Sequence, residues 1–186
     1  MELVIEIAKD FSLWNTHKIQ KKFLKNVLKH TLNEFPDLDK VCCIELSILL
    51  TNNERMTGLN SEFRKKSKPT NVLSFPDETD LLAVLQKSHS NTEFGMVLKD
   101  TADPAVRDVF AAQEYLYLGD LAFGYEIIQQ EAMEQNKSFK DHFTHLFVHG
   151  VLHLLGFDHA KDQTQAELMQ KFEIDILRTL GVQSPY

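Results

Sequence analysis

The chain has 186 residues, long enough for one domain to bury a sizeable core without disulfide staples. With 43% hydrophobic and 25% charged residues it matches an ordinary globular composition, which excludes disordered, collagen-like and coiled-coil readings. The net charge of −7 is uneven, since residues 1–75 carry +3 and residues 76–186 carry −10, so a polyanion would have to approach through the N-terminal part.

Leu3, Ile5 and Ile7 alternate with polar or small neighbours and predict a first strand. Ile19, Phe23, Leu24, Val27, Leu28, Thr31 and Leu32 follow helical spacing, with lysines over the remaining surface, and Pro36 ends that helix. Val41 to Leu50 is mostly apolar and predicts a central strand. Within it, Cys42 and Cys43 are adjacent and lack a CxxC spacing, which suits a reducing compartment. Thr51 or Asn52 can cap a short helix through Phe63, with Leu59 and Phe63 on its inner side. Arg64-Lys65-Lys66-Ser67-Lys68 then forms a basic run, and Asn71 to Phe75 predicts a third strand stopped by Pro76.

Residues 77–113 read as an acidic insertion without chemistry of its own, in which Leu81, Leu82 and Leu85 suggest a helical turn. Tyr115 to Phe123 returns to strand character, and Gly119 inside it signals a bulge or a close backbone approach. Three helices follow, over 126–135, 138–155 and about 164–180. The expected fold is α+β: one domain over 1–186, with a mixed, about four-stranded sheet packed by about five helices. No apolar stretch approaches the roughly 20 residues of a spanning helix, and no basic leader precedes Leu3. A soluble cytoplasmic protein is expected.

The chemistry concentrates near the C-terminus. His142, His145, His149 and His153 share about 80° of one helix face, at roughly 100° per residue. His149 and His153, four apart, can present imidazoles to one metal. Gly156 lets the helix stop in a left-handed turn, and His159 can return as a third ligand. Three imidazoles with an open fourth position describe a catalytic zinc site, since structural zinc usually closes with four protein ligands. The HxxxHxxGxxH spacing is that of metzincin proteases, but Gly150 stands where those enzymes carry their glutamate base. Asp158 is one substitute for that base, a supporting or turn role another.

The string His149-Gly-Val-Leu-His-Leu-Leu-Gly-Phe-Asp-His159 resembles the HGxLHLxGYDH signature of the YbeY family, with Phe157 in place of the usual tyrosine. The blocks Leu59-Asn-Ser-Glu-Phe-Arg64 and Lys68-Pro-Thr-Asn-Val-Leu-Ser-Phe-Pro76, followed by Leu118-Gly-Asp120, are similar to further blocks of that family in the same order. The resemblance covers roughly residues 40–180, apart from 77–113. It implies a single-strand-specific, zinc-dependent endoribonuclease of bacterial ribosomal RNA maturation, including 16S rRNA 3′-end processing, and of ribosome quality control. One zinc per chain would sit on His149, His153 and His159, with Arg64 catalytic in the same cleft.

Single-stranded RNA, an rRNA precursor and the small ribosomal subunit are the expected partners, with no DNA and no membrane. Lys66 and Lys68 would carry RNA across the basic surface; His145 contacts substrate, orients a ligand, or has only a helper or partly exposed role. Asp120 either anchors a ligand imidazole or serves the bulge; Asn71 and Ser74 hold the strand edge and cleft wall. A metal-containing ribosome assembly factor acting mainly by binding is the alternative, and a hydrolase of peptides or small molecules is disfavoured by Gly150.

Overall fold

The structure is a computed structural model, and it describes residues 1–78, 81, 82, 85, 114–158, 163–184 and 186. Most of the expected insertion, and His159, lie outside the described residues.

Four strands form one mixed sheet: β1 (Glu2–Lys9), β2 (Cys43–Thr51), β3 (Val72–Pro76) and β4 (Tyr115–Gly124). Their spatial order is β1-β2-β4-β3, with β1 and β4 parallel to β2 and β3 antiparallel to β4. Five longer helices are found among the described residues: α1 (Lys21–Leu32), α2 (Asn53–Arg64), α3 (Tyr125–Glu134), α4 (Phe139–Leu154) and α5 (Gln163–Thr179). This is the α+β architecture that the sequence predicts, with β2 in the interior of the sheet.

The strands bury their two faces unequally. Ile5, Ile44, Leu46, Ile48, Leu50, Leu116, Leu118, Leu121 and Phe123 join the large core with α1, α4 and α5. On the other face a small cluster of Met56, Leu73 and Ala122 seats α2. Asn52 caps α2, its side-chain oxygen accepting from Arg55 N–H at 2.9 Å. The helix buries Met56 and Asn60 fully and packs Leu59, half-buried, against the same cluster, whereas Phe63 is 57% exposed, touching Phe75 edge-on with ring centroids 4.9 Å apart. Asn60, although polar, belongs to the inner stripe because it donates to the Lys68 carbonyl.

Gly119 meets both expectations for a glycine within a strand. Its register partner skips one residue, Glu45 pairing with Tyr117 but Ser47 with Asp120, so β4 bulges there. Its φ is +121°, and a Cβ would stand 2.2 Å from the Phe75 carbonyl oxygen. The bulge lets β4 pair closely with β3 at its Pro76 end.

Leu81, Leu82 and Leu85 are buried against the main core, so the start of the 77–113 stretch contributes packing. Cys42 is exposed and Cys43 half-buried, and both are free thiols. No helix among the described residues is long and apolar enough to cross a membrane.

Candidate metal centre

α4 is the element that carries the site. Ser138 caps it, accepting from Asp141 N–H at 3.0 Å, and its apolar residues run almost all the way round, as expected for a helix packed on several sides. It lies over β3 and β4, and Gly150 packs closely against both. A Cβ at that position would be 2.9 Å from Leu121 Cδ2 and 3.4 Å from Val72 Cγ2. Ser74 Oγ donates to the Gly150 carbonyl at 3.3 Å, tying the edge strand to the helix, as expected of a cleft wall. Position 150 therefore faces the sheet, and a glutamate there would point into the core.

The helix ends with paired bonds from Gly156 N–H to the His153 carbonyl (3.0 Å) and from Phe157 N–H to the Leu152 carbonyl (3.1 Å). This is a Schellman closure around a left-handed Gly156, φ +96°. The closure turns the chain back so that the Phe157 carbonyl accepts from His153 Nδ1 at 2.8 Å. Phe157 itself is buried against Phe35 and Phe172, and no hydroxyl is called for at that position.

His149 is held from the other side. Its Nδ1 lies 2.6 Å from Oε1 of Glu173 on α5, a carboxylate that is 1% exposed. Carboxylates and carbonyls only accept, so the Nδ1 of both rings carries a hydrogen. Their Nε2 atoms face each other at 3.1 Å, a distance that calls for a proton or a cation between them. Two imidazole nitrogens on one tetrahedral zinc would be about 3.3 Å apart, so the pair fits a shared metal.

A second grouping competes for His149: donor atoms of His145, His149 and Glu173 lie within 4.8 Å of one another and are themselves a candidate metal cluster. The distances favour the Nε2 side. A contact of 2.6 Å suits a charge-assisted hydrogen bond, whereas a metal between nitrogen and oxygen would spread them to around 3.3 Å. Glu173 thus orients the His149 imidazole. Burial alone would raise its carboxyl pKa, but hydrogen bonds from His145 and His149, the charge of His149 and the Tyr186 hydroxyl bring it down to about 2.

His145 has its Nε2 on Glu173 at 3.3 Å, while its Nδ1 is buried without a partner among the described residues. Among the described residues Asp120 anchors no imidazole. It sits at the bulge on the α2 face, lining with Glu6, Ser47, Phe63 and Phe75 a concavity of about 650 Å³ away from the histidines. His142 is buried with Nε2 2.8 Å from Glu131, which also takes both bonds of the Asn71 amide. Burial would raise the Glu131 carboxyl, but these bonds hold it below its usual range. Asn71 Oδ1 in turn accepts from Val72 N–H, fixing the first residue of β3.

Arg64, the last residue of α2, is exposed and makes no hydrogen bond or ion pair among the described residues. Lys65 closes the helix in a left-handed conformation, and the loop to β3 is pinned where Asn60 Nδ2 donates to the Lys68 carbonyl at 2.7 Å. Lys66 and Lys68 are exposed on that loop. α2 and α4 lie on opposite faces of the sheet, with the edge strand β3 between them.

The sequence model of the family described as Endoribonuclease YbeY matches residues 9–181. A protein of Magnetococcus marinus named Endoribonuclease YbeY is 39% identical over 143 residues, covering 77% of this chain and 83% of its own. The solution structure of TM1509 from Thermotoga maritima superposes with a TM-score of 0.50 at 20% identity, covering 96% of this chain and 92% of that one, a likeness of fold alone. The α+β domain with an imidazole-rich helix end is accordingly that of an enzyme, a nuclease acting on RNA. Within that class the chain belongs to the YbeY family of endoribonucleases.

Proposed function

We propose that the chain is a zinc-dependent, single-strand-specific endoribonuclease working as one unit over residues 1–186, with one zinc on His149, His153 and His159. The observation that supports the metal is the facing pair of Nε2 atoms, each ring held by an Nδ1 hydrogen bond on its far side. When bound, zinc supplies a Lewis acid for a phosphoryl oxygen. Glu173 and the Phe157 carbonyl keep the two imidazoles in the tautomer that offers Nε2. Arg64 acts as the catalytic guanidinium, its planar fork gripping two oxygens of the phosphodiester and offsetting charge as it grows there. Lys66 and Lys68 guide the strand by charge. In this reading His145 serves the site by holding Glu173.

Its substrates are rRNA precursors on the small ribosomal subunit in the cytoplasm, in 16S rRNA 3′-end processing and ribosome quality control. The deciding experiment offers zinc-loaded protein a labelled single-stranded RNA, the same RNA as a duplex, and single-stranded DNA, with His153→Ala and Arg64→Ala as controls. Cleavage of the single-stranded RNA alone is expected, with zinc near one per chain in wild type and lost from His153→Ala. Equal zinc in both proteins would overturn the metal assignment. Tight RNA binding without turnover would point instead to an assembly factor that acts by binding.

A further inference from the structure

The C-terminal segment reaches the candidate metal centre from outside the stretch that the family model matches, which ends at residue 181. After α5 the chain turns back, Val182 N–H bonding to the Leu177 carbonyl at 2.9 Å and the Val182 side chain packing against the main core. Tyr186 N–H then donates to Ser184 Oγ at 3.2 Å, and the Tyr186 hydroxyl donates to Oε2 of Glu173 at 2.5 Å. Its ring stands edge-on to His145, centroids 6.3 Å apart.

Glu173 therefore serves three donors with two oxygens: His149 Nδ1 on Oε1, and His145 Nε2 and the Tyr186 hydroxyl on Oε2. A buried carboxylate is held ionised only by such donors, and its orientation is set by where they stand. His145 and His149 belong to the same helix, so they fix the carboxylate along one direction only. Tyr186 is the donor supplied by a different segment, and its 2.5 Å bond is the shortest of the three.

We infer that Tyr186 is a positioning residue for the metal centre, latching Glu173 so that its other oxygen holds His149 with Nε2 turned toward His153. This rests on the metal reading above and adds to it a contribution from beyond the matched stretch. Losing the hydroxyl leaves Glu173 with a weaker grip on its rotamer and more negative charge toward His149. The result is a less well aimed Nε2.

The test compares wild type, Tyr186→Phe, Glu173→Gln and the double variant, each as the full chain. Zinc affinity is read by competition with a chromophoric chelator, and ligand geometry by the visible bands of the cobalt(II)-substituted protein. Outer-shell partners of metal-bound imidazoles are worth about 10- to 100-fold in affinity, so Glu173→Gln should fall in that range and Tyr186→Phe, one bond further out, by about 3- to 10-fold. The cobalt bands of Tyr186→Phe should shift, and the double variant should bind zinc no more weakly than Glu173→Gln alone.

Unchanged zinc affinity and cobalt spectrum in Tyr186→Phe, beside a weakened Glu173→Gln, would overturn the inference while leaving the metal reading in place. So would a Tyr186→Phe protein that only melts earlier in its metal-free form. A wild type that binds no zinc would remove the metal reading and this inference with it.

Discussion

Replacing Gly150 tests why the helix carries a glycine where a zinc protease carries its base. A Cβ there would approach Leu121 Cδ2 to 2.9 Å, well inside ordinary van der Waals contact, and the crowded atom belongs to a side chain that is itself fully buried. Overpacking of this kind costs about 1–3 kcal/mol. Alanine returns about 1 kcal/mol through helix propensity, so Gly150→Ala should lose about 0–2 kcal/mol. For a chain of this size that lowers the thermal midpoint by roughly 0–8 °C. Gly150→Glu adds a carboxylate pressed among Leu121 and Val72 with no donor to meet it, a further penalty of roughly several kcal/mol. Urea unfolding of the metal-free proteins gives the stability order, and cleavage of a labelled RNA gives the activity. The expected result is wild type at or above alanine, both far above glutamate, and no gain of cleavage from the carboxylate. A Gly150→Glu protein as stable as wild type, or one that cleaves RNA faster, would refute this placement of residue 150 against the sheet.

Other expectations follow from the same geometry. Glu173 has its folded pKa depressed to about 2 from an ordinary 4.5, so its contribution is fully present above about pH 4.5 and is lost as pH falls toward 2. In the metal-free protein the stability gap between wild type and Glu173→Gln should therefore narrow over that window; a gap independent of pH in urea titrations would contradict it. Arg64→Ala should keep its zinc while losing about 2–4 kcal/mol of transition-state stabilisation, and Arg64→Lys should recover little, since an ammonium cannot grip two oxygens in one plane. Single-turnover cleavage rates alongside elemental analysis check both, and wild-type cleavage by Arg64→Ala would return Arg64 to an ordinary surface residue.

Periodicity made the scaffold legible. Strand alternation at Leu3, Ile5 and Ile7 and helical spacing from Phe23 to Leu32 are set by burial on one face, and burial is what shapes those elements in the structure. His149 and His153 were readable because a four-residue spacing on a helix fixes their geometry without help from the rest of the fold. Glu173 was not, since its partner lies 24 residues away on another helix, a tertiary relation that no local pattern encodes. One signal was present: Met169, Ile176 and Leu177 form the buried stripe of α5, and Glu173 interrupts that stripe with a charge. Asn60 is the same kind of clue, a polar residue one turn after buried Met56 that pins the loop carrying Lys68. Of the two roles open to Asp120 the structure shows the one at the bulge, and adjacency to a glycine says nothing about which face of the sheet a carboxylate occupies.

The two imidazoles of the centre are secured by different kinds of anchor, and this divides how the site can change by mutation. Glu173 can be exchanged in one step, so the aim of His149 is open to tuning through a side chain. The anchor of His153 is a peptide carbonyl, present whatever residue occupies position 157, and only the path of the chain determines where it points. Its vulnerable position is therefore Gly156, where any L side chain would meet Leu82 and resist the left-handed turn. A side-chain scan across 155–158 would register Gly156 as a folding defect and Phe157 as a core defect. The hydrogen bond that orients His153 would stay invisible to it.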